Sequence, residues 1–354
     1  INTSGYAFQV ESGKQHKNVK IDGNTFNLTG TGSGAYYDGL YEKNSDSTWF
    51  VNNTVNGGYY GLRFYGGSST VAGSMESNIF IENNDISSFI YYGVYAFYCT
   101  NVYVRNNIIR NDQNHVNSTY PYALYMYYNI NNEIIKNRIQ ASGTAGGYAV
   151  YTYSNNRYGT TSDSTKIINN YIVVGKDLNT GTRRGINLYY YNYRAIVYHN
   201  NIKVLGNAGG EAMYTYYLYN SDLKNNIMEN LGGTTWYDQV PNNVTRDYNA
   251  FWTGTVGANG TNGGTAGTNS LVTNPRFKNP NDCDLRVNSI QLDSAAVNVG
   301  INEDIYSAPR VLGFHDIGAH EFDACYYDAA MTKLSTIYTS VPAGQSVYLN
   351  GTVA

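Results

Sequence analysis

The sequence is short of charge, proline and cysteine. Only 14% of its 354 residues are Asp, Glu, Lys or Arg, against about a quarter in ordinary globular chains. The 23 Lys and Arg nearly balance the 26 Asp and Glu, for a net charge of −3. That balance excludes the basic excess of a nucleic-acid binder. No apolar run reaches the ~20 residues of a membrane helix, so no membrane span is expected. The three cysteines, Cys99, Cys283 and Cys325, form no C-x-x-C pair, which removes the common zinc and redox motifs. Cys99 reads as a buried thiol, and a Cys283–Cys325 disulfide is one open pairing. There is no G-x-S-x-G, phosphate loop or H-E-x-x-H. No leader pattern stands at Ile1, where the chain opens inside a repeat, so a mature form or a fragment is expected. What is abundant is Tyr, 38 residues against 11 Phe and 3 Trp, together with 37 Gly. Aromatic content this high excludes a disordered chain. The surplus of Asn, Thr, Ser, Gly and Tyr suits a secreted or cell-surface protein.

Self-similarity runs along the chain. Short alternating runs end in Asn, usually a pair: VKIDGN (19–24), TWFVNN (48–53), IFIENN (79–84), VYVRNN (102–107), EIIKN (133–137), KIINN (166–170), IVYHNN (196–201), DLKNN (222–226) and TRDYN (245–249). The last Asn of these runs recurs every 23–33 residues. Alternation of period two specifies strand, and no segment carries an amphipathic helical pattern. One strand–Asn–strand unit per repeat fits one turn of a parallel β-helix, with turns stacked at ~4.8 Å. Asn24, Asn53, Asn84, Asn107, Asn137, Asn170, Asn201 and Asn226 are expected to stack as an internal ladder, because a buried amide must be paired and Asn tolerates the left-handed bend.

These Asn-ended repeats resemble the right-handed parallel β-helix proteins of the pectate-lyase-like group. Asn274–Phe277, Asp284–Arg286, SAAVNVG (294–300), Pro309-Arg310 and DIGAHEF (316–322) are similar to the closing segment of secreted bacterial members. The usual text there is nearer SPAIDAG and DIGAYE, so Ala295, Asn298 and His320 depart from it. The resemblance covers roughly residues 1–322. It implies an all-β right-handed parallel β-helix with a C-terminal cap, and it leaves activity open, because this fold hosts lyases, hydrolases, epimerases, adhesins and viral tail proteins.

A second strand recurs between the Asn runs: GLYEK (39–43), GLRFY (61–65), GVYAF (93–97), ALYMY (123–127), AVYTY (149–153), GINLY (185–189) and AMYTY (212–216). Its second column is apolar throughout and must face the core, so columns three and five face out. Eleven of their fourteen residues are aromatic: Tyr41, Tyr65, Tyr95, Phe97, Tyr125, Tyr127, Tyr151, Tyr153, Tyr189, Tyr214 and Tyr216. Glu42 is the misfit, on an inward column, so either the first copy is out of register or the helix is not yet closed there. A repeating aromatic surface suits a repeating polymer, since Tyr offers an apolar ring and a polar edge to a sugar. In the resembled family the same sheet bears the substrate groove. Alternatively the stripe is a structural ladder, or a contact surface for a cell-surface protein or another copy.

A catalytic pair is not evident. Hydrolysis needs two carboxyls across the bond, whereas Asp38 and Glu211 lie in the first and last copies, and Asp46 and Asp163 are read as loop residues. Elimination needs a cation and a base. Lys43, Arg63 and Arg184 are the candidates, in the clusters Lys43/Arg63/Tyr65 and Arg183/Arg184/Tyr189/Glu211. His115 is isolated, and His199 reads as a strand residue. Asn281, Asp282 and Asp284 gather oxygens of the kind calcium takes, or simply make turns; no cofactor is expected.

Residues 1–254 read as about nine turns, 254–270 as a flexible surface loop, 271–322 as the last turns and closing cap, and 323–354 as a linker, cap or start of a further β module. The functional expectation is polysaccharide recognition through the Tyr face. The alternatives are a polysaccharide lyase or glycoside hydrolase, and an adhesin or filament-forming surface protein.

Overall fold

We obtained a computed structural model of the protein. It describes residues 2–3, 5–10, 16–28, 37–43, 45–68, 74–111, 119–176, 181–206, 209–255, 259–263, 265–311, 313–321, 325–326 and 348–349. Each Asn-ended run is a strand followed by one left-handed residue. Asn52, Asn83, Asn106, Lys136, Asn169, His199 and Asn225 hold that step, with φ between 54° and 59°. Asn is among the few residues that tolerate this region, which is why the runs so often end in a pair. The second residue of the pair turns inward.

The result is a right-handed parallel β-helix, and among the described residues it contains no α-helix. One coil runs Tyr122–Tyr127, Ile130–Ile135 and Arg138–Ala141, and the next begins at Gly147–Tyr153. All coil-to-coil pairings are parallel. The short third strands form an eleven-stranded sheet from Asn2–Thr3 to Leu271–Val272. The other two stacks merge through the 14-residue strand Glu211–Lys224, which pairs with both. The seven aligned copies are in register: Leu40, Leu62, Val94, Leu124, Val150, Ile186 and Met213 oppose one another coil by coil, and all are fully buried. Glu42 is in register too, opposite Phe64. It is buried, accepts a 2.6 Å bond from Thr48 Oγ1, and burial raises its pKa.

The ladder spans the core. Asn53 N donates to Asn84 Oδ1 at 2.8 Å, Asn84 N to Asn107 Oδ1 at 2.9 Å, Asn107 N to Asn137 Oδ1 at 2.9 Å and Asn137 N to Asn170 Oδ1 at 2.9 Å. Each Nδ2 also donates to a carbonyl of the coil below, as Asn107 does to Ile81 O at 2.8 Å. Asn24 begins the series, its N donating to Asn53 Oδ1. One expected rung is wrong: after Asn170 comes Asn200, not Asn201. His199 takes the left-handed step of that coil, so the inward position falls one residue earlier. Asn201 instead donates to Leu285 O at 2.7 Å and accepts from Ala319 N at 2.9 Å. Asn226 follows Asn200 and passes the ladder on to Asn249. A second ladder, unforeseen, occupies the other bend: Cys99 N donates to Asn129 Oδ1, Asn129 N to Asn155 Oδ1 and Asn155 N to Asn192 Oδ1.

Three further expectations change. Thr261–Asn262, within the stretch read as a flexible loop, pair with Trp236–Tyr237 and extend the aromatic sheet. The closing segment lies along the flank as well as beyond the last strand. Cys283, Leu285, Ile305 and Ala319 pack on Tyr171, Val173 and Leu205, while Val287, Leu292 and Ile317 pack on Ile227 and Ala250. Buried Arg310 ties this segment down, donating to Glu321 Oε2 at 2.8 Å and Asn169 Oδ1 at 2.9 Å. Finally, Cys283 is a free buried thiol, its Sγ 3.6 Å from the carbonyls of Ile139 and Tyr171, so it forms no disulfide with Cys325. Cys99 is likewise free and buried. Beyond residue 321 the described residues are Cys325–Tyr326, paired antiparallel with Tyr348–Leu349. The rest of the alternating stretch 334–351 lies outside the described residues.

Candidate functional site

Strand periodicity places the aromatic face. In Tyr122–Tyr127 the burial alternates so that Leu124 and Met126 are buried while Tyr122, Tyr125 and Tyr127 are half-exposed. Coil by coil, column three reads Tyr41, Arg63, Tyr95, Tyr125, Tyr151, Asn187, Tyr214, Tyr237. Column five reads Lys43, Tyr65, Phe97, Tyr127, Tyr153, Tyr189, Tyr216. A third aromatic column was missed: Tyr60, Tyr92, Tyr122 and Tyr148, between Asp38 at one end and Arg184 and Glu211 at the other. Its signal was present, since each of these tyrosines stands directly before the small residue on which the copies align. Further tyrosines, Tyr98, Tyr128, Tyr190 and Tyr217, edge the face in the left-handed conformation, φ 53–56°.

The rings stack along the columns. Tyr95 and Tyr125 are 5.2 Å apart at 7°, Tyr125 and Tyr151 4.9 Å at 6°. Tyr65, Phe97, Tyr127 and Tyr153 follow at 4.7, 4.9 and 4.5 Å. Tyr60–Tyr92 and Tyr122–Tyr148 lie at 4.9 and 4.6 Å. Within a column, ring therefore covers ring, and what meets solvent is edges and hydroxyls. The expectation of flat ring faces offered to a sugar changes accordingly.

Stacking also sets the chemistry of the hydroxyls. Burial, and then the neighbouring phenols, push Tyr92, Tyr95, Tyr122, Tyr125 and Tyr151 well above the ordinary phenol value, and Tyr153 up to about 12. These phenols stay protonated at neutral pH and both donate and accept hydrogen bonds. A tyrosine acting as base needs the opposite shift.

Two of the charged candidates, Arg63 and Arg184, are paired with carboxylates where they stand. Arg63 lies 2.7 Å from Asp38 Oδ2 and 4.1 Å from the Tyr41 ring centroid. Burial pushes the Asp38 carboxyl up to about 7, although Arg63 pulls the other way. Arg184 Nε donates to Glu211 Oε2 at 3.0 Å, with its guanidinium 3.5 Å from the Tyr214 centroid. Lys43 sits 5.8 Å over the Tyr65 ring. Arg183 leaves the second cluster altogether: it points inward and donates to Leu205 O at 2.6 Å and Gly209 O at 2.8 Å. Asp38 and Glu211 share one column, six register steps apart, too far to act across one bond. Asp46 is in the strand Ser45–Val51 rather than a loop, accepting from Ser77 and Asn78. Asp163 caps a turn through Thr160 N.

His199 is a buried bend residue, not a strand residue. Its Nδ1 lies 3.1 Å from Gly318 O and Nε2 3.0 Å from Asn225 Nδ2, and burial holds its pKa far below the usual value. His115 lies outside the described residues. Asp284 is engaged twice by Arg286, at 2.8 and 2.6 Å, and Asp282 accepts from Asn279. Among the described residues no group of three or more His, Cys, Asp and Glu is placed to hold a metal ion, and no helix is long and apolar enough to cross a membrane.

Residues 1–159 match the family model described as a right handed β-helix region. The coils beyond residue 159 continue the same register. No curated protein matches the chain, and no solved structure does.

Proposed function

We propose that this protein recognises a polysaccharide through its Tyr-lined sheet, and that it works at the cell surface or in the extracellular medium. The observation that carries the reading is the lattice of half-exposed tyrosines. Two columns run over seven coils, ~30 Å at a spacing of ~4.8 Å, broken only at Lys43, Arg63 and Asn187, a third fills the four coils from Tyr60 to Tyr148, and the shifted phenols hold their protons. Such a surface offers a periodic array of donors and acceptors between apolar ring edges. A chain of linked sugars presents the complementary pattern, hydroxyls alternating with C–H groups.

Cleavage has less support than binding. Arg63 and Arg184 are each paired with a carboxylate, and the displaced phenols of the face are displaced in the wrong direction for a base. The test is the double variant Tyr125→Ala/Tyr127→Ala in affinity electrophoresis through gels cast with polysaccharides. Retardation should disappear while circular dichroism and melting remain those of a folded β-helix. Undiminished retardation would move the site off this face.

A further inference from the structure

One coil of the aromatic sheet breaks the pattern in three ways at once. First, column three loses its ring. Asn187 stands between Tyr151 and Tyr214, and the two flanking rings have no partner ring between them in that column. Second, the Asn187 amide is fully buried, and neither its Nδ2 nor its Oδ1 has a hydrogen-bond partner. The main ladder amides are satisfied from coil to coil, and among the described residues Asn187 is the buried amide with both its atoms unpaired, so it calls for an explanation. Third, the strand bulges a few residues on, after Tyr189. Tyr190 and Tyr191 together oppose Tyr217, and both are left-handed, φ 56° and 58°. Bulges of this kind re-aim side chains beside functional sites, and a bulky left-handed residue is costly.

Tyr189 shows what the bulge does. Its ring is tilted 49° from Tyr153 and 30° from Tyr216, where the rings of coils further down column five lie within 13° of their neighbours. It leans toward the column-three gap, 6.1 Å from Tyr151 and 6.3 Å from Tyr214, two residues along the same strand from Asn187. Rotation of one half-exposed side chain is fast and low in cost, and it would open a notch one coil wide. The notch has Tyr151 as one wall, the Arg184 guanidinium stacked 3.5 Å from the Tyr214 centroid as the other, and the Asn187 amide as floor. Arg184 is paired with Glu211 through its Nε, so the notch presents one amide donor, one amide acceptor and a cation whose charge its own carboxylate balances.

The geometry points to Asn187 as the residue that reads one sugar of a neutral polysaccharide, its amide bonding a pair of neighbouring hydroxyls while Tyr189 swings from lid to wall. This rests on the sheet face being the polysaccharide surface. It adds the class of polymer, uncharged rather than uronate, and the coil at which the chain is held in register. An amide kept unpaired in the free protein is a specificity device: a ligand with hydroxyls relieves the unpaired groups, and one lacking them does not.

The test uses the full chain carrying Asn187→Leu or Asn187→Tyr. The first removes the polar group at similar volume and the second completes the ring column. Affinity electrophoresis is run against laminarin, galactomannan and starch as neutral polymers, and polygalacturonate and alginate as acidic ones, with Tyr125→Ala/Tyr127→Ala alongside. Wild type should be retarded by a neutral polymer. Asn187→Leu should melt at the same temperature or higher and bind at least about tenfold more weakly, with Asn187→Tyr behaving likewise. Retained affinity in both variants, while the double Tyr variant is blind, overturns the notch and leaves the face. Preference for an acidic polymer overturns the neutral assignment. A clear drop in melting temperature for Asn187→Leu shows that the amide serves the fold and overturns the inference. Retardation of wild type by none of the polymers removes both the notch and the face.

Discussion

A single asparagine in this protein does the work of several backbone bonds. The Asn107 side chain accepts from the backbone N of Asn84, and its Nδ2 donates to Ile81 O and to Asn137 Oδ1. Replacing it with Ala strands at least one buried N–H and one buried carbonyl, each worth about 1–3 kcal/mol. Asn107→Ala and Asn170→Ala should therefore each lose several kcal/mol in chemical denaturation; an unchanged midpoint would remove the ladder from the account of stability. Asp38 predicts a pH effect. Its carboxyl titrates at about 7 in the fold against an ordinary 3.8, so the folded state holds the proton more tightly than the unfolded chain. Its contribution is present below about pH 4 and lost as pH rises through about 7. The wild type should lose melting temperature relative to Asp38→Asn between pH 4 and 8, and a constant difference would contradict this. The ladder was legible in the sequence because paired Asn recur at a near-constant interval. Asn200 was misread as Asn201 because the left-handed step before it is taken by His199 instead of by the first Asn of the pair, although His is itself enriched in that conformation.

At the scale of the element, the strand alternation that put Leu62, Leu124 and Ile186 in the core also decided which tyrosines face out, so columns three and five could be read directly. Ring orientation could not. It follows from the ~4.8 Å coil spacing, which leaves room for rings only when they lie face to face. Burial in that stack raises the Tyr95, Tyr125 and Tyr151 pKa values above their ordinary 10.0. A phenol shifted this way contributes its stability below the unfolded value and loses it as pH climbs toward the folded one. An alkaline titration followed at 295 nm should show one set of tyrosines ionising reversibly and another ionising only with loss of the β-sheet signal. A single smooth transition with structure intact would contradict the buried stack. The bulge at Tyr190–Tyr191 was invisible beforehand because YYY in Tyr189–Tyr191 differs from its neighbours only by one inserted residue of the same type.

For the whole molecule, the β-helix was readable from the repeat, while the course of the closing segment was not. Its contacts reach coils far back along the chain, some more than 100 residues earlier, such as Lys136 with Glu303 at 2.7 Å and Asn201 with Ala319, and no local pattern encodes those. That flank packing leaves the Tyr face on a separate side of the coil, as a binding reading requires. The most direct measurement is size exclusion with light scattering after incubation with neutral and acidic polysaccharides. The account predicts that the protein elutes with a polymer whose molar mass does not change. A polymer mass that falls with time would make the protein an enzyme. A protein that stays free of every polymer and runs as a multimer would make the tyrosine face a contact between copies; the first result would contradict binding without cleavage, and the second would contradict recognition of a polysaccharide itself.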